Sequence, residues 1–265
     1  MENAPLYILP LWVVGLIFIS ILTIALEAGF RVGLIRRAHW KDADSGGGAL
    51  VLTSMFAVMG LVLAFTYGSG QTRFDARKNA VMIEANALGT AFHRADLVAE
   101  PGRTELRTIL LDYARTRAFE PGTVKTYEQF RAVVKITLNK MELIWPATKR
   151  MIEQGKPGPV EASVVAAINN GLDAHTIRMT AVRDHLPRII MWMLVFVVAA
   201  ALAVAGYNAG IQGRMSRWRM SAFVLVLTTL MLIILDFDRP NDGLVIVSNK
   251  SIYTVIEQME AELGR

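Results

Sequence analysis

The stretch 189-IIMWMLVFVVAAALAVAGY-207 carries no charged side chain. At 1.5 Å per residue an α-helix of this length runs ~28 Å, close to the ~30 Å hydrocarbon core of a bilayer. Lipid offers no partner to an unpaired backbone amide, so a run this apolar is a helix and not a strand. Three further runs read the same way: Tyr7–Leu26, Ala49–Tyr67 and Met220–Leu235. A polar segment from Ser69 to His185 splits the four runs two and two. The fold class is therefore all-α: a polytopic membrane protein with four transmembrane helices and a helical-bundle extramembrane domain inserted between spans two and three. The boundaries fall at 1–68 for spans one and two, 69–186 for the bundle, 187–237 for spans three and four, and 238–265 for an amphipathic tail.

Composition agrees with that division. The 265 residues are 53% hydrophobic, with a formal net charge of +5 and no cysteine, and the mean hydropathy is +0.38. These values are too apolar for an ordinary soluble domain and too polar for a chain lying wholly in the membrane. Without cysteine there are no disulfides, thiolate metal sites or thiol nucleophiles. The positive charge is spread along the chain as arginines at span ends, which argues against nucleic acid as a partner. The first run lacks the basic leader and small-x-small cleavage site of a signal peptide and reads as a retained span. Trp12 and Trp192 belong at one membrane face, Trp40 and Trp218 at the other.

Inside the membrane, Ala199, Ala203, Gly206 and Gly210 place small residues on one face of span three, where a neighbouring backbone can approach closely. Span two reads as ending in Thr66-Tyr67-Gly68-Ser69-Gly70. Beyond it, Val81, Ala85, Leu88, Phe92 and Ala95 recur at three and four, the stripe of an amphipathic helix. Leu106, Ile109, Leu110 and Tyr113 mark a second helix. Phe130, Val133, Val134, Thr137, Leu138 and Met141 mark a third, which Pro146 kinks or restarts. Val164, Val165, Ile168, Leu172, Ile177 and Met179 mark a fourth, running up to Pro187. Four such helices joined by short turns are expected to pack as an antiparallel bundle. Ile252, Val255, Ile256, Met259 and Leu263 describe one more helix in the tail.

No phosphate-binding loop, dinucleotide fingerprint, zinc-protease or serine-hydrolase motif occurs, so the sequence carries no sign of an enzyme. The four histidines lack metal-ligand spacing; His93 with Asp96, and His175 with Arg178, read as surface helix pairs. Neither a metal nor a cofactor is expected. The remaining ionisable residues cluster at span ends. Arg73, Asp75 and Arg77 follow span two, and Arg73 and Arg77 share a helix face, a repulsive arrangement unless carboxylates of other helices answer it. Asp173, Asp184 and Asp238 are the candidates. Glu84 borders an apolar stripe and needs a partner inside the bundle. Asp236, Asp238 and Arg239 close span four; they read as anchors in the headgroups, with Pro240 stopping the helix, or in a sharper reading as a carboxylate ring at a pore mouth.

Gly60-Leu-Val-Leu-Ala-Phe65, Arg73-Phe-Asp-Ala-Arg-Lys78, Glu84-Ala-Asn-Ala-Leu-Gly-Thr90 and Asp238-Arg239-Pro240 with Gly243 resemble the bestrophin-like family of bacterial membrane proteins. That family is itself faintly similar to bestrophins, pentameric anion channels with the same order of elements. The resemblance implies a homo-oligomer, a pentamer by analogy, conducting small ions such as chloride through a neck lined by span two. Leu61, Phe65 and Ser69 match the pore-lining positions, and Ser69 departs from their apolar character. The calcium clasp of animal bestrophins finds no match. A rival reading is a membrane-anchored sensor or scaffold whose bundle binds a ligand or protein. A transporter would show inverted repeats and broken helices, which the spans lack.

Orientation divides the arguments. Both termini and the bundle lie on one side, and the short loops with Arg31, Arg36, Arg37 and Lys41, then Arg214, Arg217 and Arg219, on the other. The positive-inside rule puts those loops in the cytoplasm and the bundle outside a bacterial inner membrane. The resemblance to bestrophins implies a cytoplasmic bundle.

Overall fold

The structure, a computed structural model, describes residues 9–39, 46–119, 127–155, 158–239 and 243–264. In chain order the helices are α1 Leu11–His39, α2 Gly46–Ala95, α3 Gly102–Arg117, α4 Tyr127–Met141, α5 Ile144–Gln154, α6 Pro159–Arg183, α7 Arg188–Gln212, α8 Arg217–Asp238 and α9 Lys250–Leu263. Among the described residues there is no strand. Four segments are long and apolar enough to cross a membrane, and they contain α1, α2, α7 and α8. The described residues are all-helical with four candidate spans, as expected; Trp40 lies outside the described residues.

Span two does not stop at its glycine-rich end. α2 is one helix of 50 residues, about 75 Å long, running through Gly68 and Gly70. Each glycine costs about 1 kcal/mol against alanine in a helix, which a helix this long absorbs, and the segment holds no proline to remove a backbone donor.

The chain divides into two compact units, Arg73–Asp184 with Pro240–Arg265, and Glu2–Thr72 with His185–Arg239. The second contains the spans. Its core is built from Val14, Phe18, Leu22 and Leu26 of α1, Leu194, Val198 and Leu202 of α7, and Leu227, Met231 and Ile234 of α8. The small-residue stripe of α7 is used as a contact. A Cβ on Gly206 would run into the Leu26 carbonyl, one on Gly210 into that of Phe30, and one on Gly29 into that of Ala203. α1 answers α7 with its own pair, Gly29 and Gly33, so the two backbones touch without intervening side chains.

The first unit buries all five apolar positions of the α2 stripe, from Val81 to Ala95. Leu106, Leu110 and Tyr113 of α3, Ile144, Ala147 and Met151 of α5, Val164 and Ile168 of α6, and Ile252, Ile256 and Met259 of α9 join them in this core. The tail helix is thus a member of the bundle. Pro146 sits in the first turn of α5, where its missing N–H is harmless, and restarts the chain after α4. Leu138 and Ile177 leave their expected stripes and are exposed.

Candidate functional site

The polar residues past Thr72 converge on one face of α2, and α6 answers them in antiparallel order. Arg73 Nε lies 3.3 Å from Asp184 Oδ2. Arg77 donates to the carbonyls of Ala181 at 3.1 Å and Asp184 at 2.6 Å. Arg94 donates to the Ser163 carbonyl at 3.0 Å. Arg77 therefore closes the C-terminal end of α6, whose last carbonyls have no partner within the helix, and it is buried in doing so. A cation there also complements the negative end of the helix dipole. Asp75 and Asp173 stand apart: both are exposed, and among the described residues neither makes an ion pair. The reason is phase. Each lies two positions, about 200° of helix rotation, from the residues that face the partner helix, Arg77 on α2 and His175 on α6.

Glu84 is fully buried at the centre of this unit. Its Oε1 accepts from Arg117 Nε at 2.8 Å and from the Tyr113 hydroxyl at 2.9 Å. Its Oε2 accepts from Arg178 at 2.7 Å and from Arg117 at 3.3 Å. Four donors fill the roughly four acceptor positions of a carboxylate. The Tyr113 oxygen also lies 2.8 Å from His175 Nδ1. Since Tyr113 gives its one proton to Glu84, the network assigns the proton of that second bond to His175 Nδ1. Arg178 reaches on to Asn249 at 2.8 Å, and Asn249 to the Phe119 carbonyl at 2.7 Å.

Burial by itself would raise the Glu84 carboxyl. His175, whose Nδ1 also lies 3.8 Å from Glu84 Oε1, and the charges of Arg117 and Arg178 outweigh it and hold the group far below the usual carboxylate range. Burial, and then the Glu84 charge, pushes the Tyr113 phenol well above its ordinary value. A carboxylate kept ionised at neutral pH with its acceptor positions filled has no free position to offer a ligand. The cluster is a polar core that ties α2, α3, α6 and the start of α9 together.

Sequence spacing missed its other members. His175 and Arg178 are buried, not a surface pair. The signal was present: Arg117 continues the α3 series Leu106, Leu110, Tyr113, and Arg178 continues the α6 series Val164, Ile168, His175, so both arginines lie on buried stripes. His93 is exposed, 3.5 Å from Glu262. Among the described residues no cluster of His, Asp or Glu is placed to hold a metal ion.

In the membrane unit, Leu61 is 56% and Phe65 68% exposed on the single chain, and Ser69 is exposed one turn further. Gly68 on the same side, and Gly60 about a quarter turn from Leu61, have nothing within 4 Å of a would-be Cβ. Of the four spans α2 is the least covered: 11% of its apolar window is buried, against 28% for α1, 44% for the segment containing α7 and 39% for α8. Asp236, Asp238 and Arg239 at the end of α8 are all buried, so they do not anchor the span in the headgroups. Asp238 Oδ1 accepts the Leu186 N–H at 2.9 Å, and its backbone carbonyl lies 3.1 Å from His185 Nδ1. Arg239 donates to the Leu9 carbonyl at 2.8 Å. These groups satisfy backbone atoms at the entry to α7, at the end of α8 and just before α1, a task that water performs at an exposed span end.

Comparison with known proteins places this architecture. Among curated proteins none matches the chain. Solved structures do. One is a crystal structure of a bacterial bestrophin homolog from Klebsiella pneumoniae obtained by Zn-SAD phasing, with TM-score 0.65 and 11% identity, covering 93% of this chain and 98% of that one. Another, a point mutant of the Klebsiella pneumoniae homolog, gives TM-score 0.66 and 11% identity over 94% of this chain and 99% of that one. At this identity the likeness is one of fold. The Bestrophin-like domain model matches residues 19–252, nearly the whole sequence, and the chain belongs to the Bestrophin-like family.

Proposed function

We propose that the protein is an oligomeric ion channel whose pore is lined by α2, with Leu61 and Phe65 directed to the shared axis and Ser69 one turn beyond. The observation that carries this reading is the coverage of α2: the least buried of the four spans exposes two large apolar side chains among glycines with open space around them. A single set of four spans offers no hydrophilic path, so a pore has to be assembled from several copies. Apolar side chains at a constriction gate by dewetting, and Leu61 and Phe65 have that character. Family membership and the shared fold support the same reading. By resemblance to bestrophins the assembly is a pentamer and the permeant ion an anion.

Purified protein in a planar bilayer tests this. Ion-selective current is expected, and Phe65→Ala is expected to widen the constriction and raise leak conductance. A silent bilayer, together with capture of a protein partner by residues 69–186, would replace the channel with the sensor or scaffold reading. Arginine-rich short loops favour a bundle outside the cytoplasm. Strong activity of a C-terminal alkaline phosphatase fusion is the expected result, and a fluorescent cytoplasmic fusion reverses the assignment.

A further inference from the structure

The backbone contact between α1 and α7 brings charge together at one end of the membrane unit. α1 ends in Arg31, Arg36 and Arg37, while α7 is followed by Arg214, Arg217 and Arg219. The close approach at Gly29, Gly33, Gly206 and Gly210 sets these two groups side by side. The seam continues into the turn: Gly213 has φ +70°, and the Arg37 guanidinium occupies the space where its Cβ would stand. Arg31 and Arg217 both reach Glu27 at 3.2 Å. Glu27 is the one carboxylate at this end among the described residues; Asp42 and Asp44 fall in the 40–45 segment outside them. All six arginines are exposed, and Trp218, 75% exposed, stands among them.

An exposed tryptophan at a span end sits at headgroup level. Arg31 and Arg37 are six residues apart, about 9 Å along the helix axis, similar to the depth of a headgroup layer. From the convergence of six guanidinium groups, one carboxylate and an interfacial tryptophan, we propose that this end of the membrane unit binds the phosphate of an anionic phospholipid headgroup. Guanidinium donates two parallel N–H bonds to a phosphate, which suits arginine better than lysine for this task. Glu27 holds Arg31 and Arg217 as a frame, and Arg36, Arg214 and Arg219 add charge around it. The positive-inside rule explains why arginines lie in short loops. It does not explain why they meet on one seam.

The test uses the full-length protein in neutral detergent, titrated with short-chain phosphatidylglycerol or with phosphatidylcholine of the same acyl length, binding being read as the rise in unfolding temperature. Wild type is expected to bind phosphatidylglycerol and respond little to phosphatidylcholine, and to lose the difference in high salt. The triple variant Arg36→Gln, Arg214→Gln, Arg219→Gln is expected to weaken phosphatidylglycerol binding by about tenfold or more, since each basic residue near an anionic surface contributes severalfold. A variant with lysine at the same three positions keeps the charge and is expected to recover most of the binding. The exposed bundle pair Lys135→Gln, Lys149→Gln is expected to behave as wild type. Equal response to the two lipids, or an unchanged affinity in the glutamine variant, overturns the proposal. Competition by glycerol 3-phosphate at the lipid's own concentration overturns it too, by making the site one for a free phosphate.

Discussion

Two stretches of α2 make opposite uses of one helix. From Arg73 to Ala95 one face is enclosed: Val81, Ala85, Leu88 and Phe92 are buried, Glu84 is fully buried, and Arg73, Arg77 and Arg94 each reach a group on or just beyond α6. From Gly46 to Thr72 the same helix leaves most of its surface uncovered, with Met59, Leu63 and Thr66 its principal buried side chains. On the enclosed face Glu84, Arg73, Arg77 and Arg94 are all answered within the chain, so its sequence is explained by one protomer. The open stretch is explained by what one protomer lacks, lipid or further copies. The difference separates residues whose loss should unfold the protein from residues whose loss should alter only what it does.

The largest effect is expected at Glu84. Glu84→Ala leaves Arg117 and Arg178 buried without their carboxylate, and removing one partner from a buried pair costs about 3–5 kcal/mol. Glu84→Gln keeps the shape and one acceptor oxygen and should fall between the alanine variant and wild type. Acid should separate the variants further. Because the folded carboxyl is held below the ordinary 4.5, its stabilisation is fully present above pH 4.5 and drains away as pH falls towards the folded value. Wild type is therefore expected to lose thermal stability steeply below about pH 4.5, and Glu84→Gln to show a flatter curve. Parallel curves would mean that the acid sensitivity lies elsewhere, and the contrast between the two halves of α2 would lose its anchor.

Next come substitutions that force a side chain into backbone. Gly206→Leu places its Cβ against the Leu26 carbonyl, which cannot move without shifting α1. Overpacking costs about 1–3 kcal/mol where neighbours yield, and backbone yields least. Reduced recovery of folded protein from detergent is the expected result. A wild-type melting curve for Gly206→Leu would show that α1 and α7 separate easily, and it would weaken the convergence of arginines that their contact creates.

How much of this was legible follows from which interactions are local. The spans and the α2 stripe could be read because burial on one helix face repeats along the chain. The α7 glycine stripe could be read for the same reason, although its partners Gly29 and Gly33 could not, since nothing in sequence says which helix will meet which. The Glu84 cluster was half legible: a carboxylate beside an apolar stripe demands a partner, yet the partners come from distant segments. Asp173 was a reasonable candidate by charge and fails by helix phase. Leu61 and Phe65 are exposed on the single chain, the placement that a lining role across a shared axis requires. The continuity of α2 stayed hidden because Gly68-Ser69-Gly70 has the composition of a break.

Arg77 sharpens the comparison near the junction of the two stretches. Arg77→Ala leaves the carbonyls of Ala181 and Asp184 without these donors, and unsatisfied buried groups cost about 1–3 kcal/mol. Arg77→Lys retains the charge but offers a single compact ammonium in place of the fork that spans both carbonyls, so it should recover part of the loss. Melting of Arg77→Ala indistinguishable from wild type would mean that water serves the end of α6 and that the enclosed stretch begins later than Arg73.

The smallest effect is expected at Gly68, and its sign is informative. Nothing lies within 4 Å of a Cβ built there, so within one protomer Gly68→Ala meets no obstacle. Replacing an unobstructed helical glycine by alanine should stabilise by up to about 1 kcal/mol, through higher helix propensity and a less flexible unfolded chain. That gain is expected in any measurement that reports the protomer alone. If α2 faces other copies of itself around an axis, the added methyl lies one turn from Phe65, on the face where those copies approach. The same variant should then shift the oligomer distribution or the conductance while leaving protomer stability equal or higher. A Gly68→Ala protein unchanged in stability, assembly and conductance would show this side of α2 facing lipid, and the pore-lining role of Leu61 and Phe65 would fall with it.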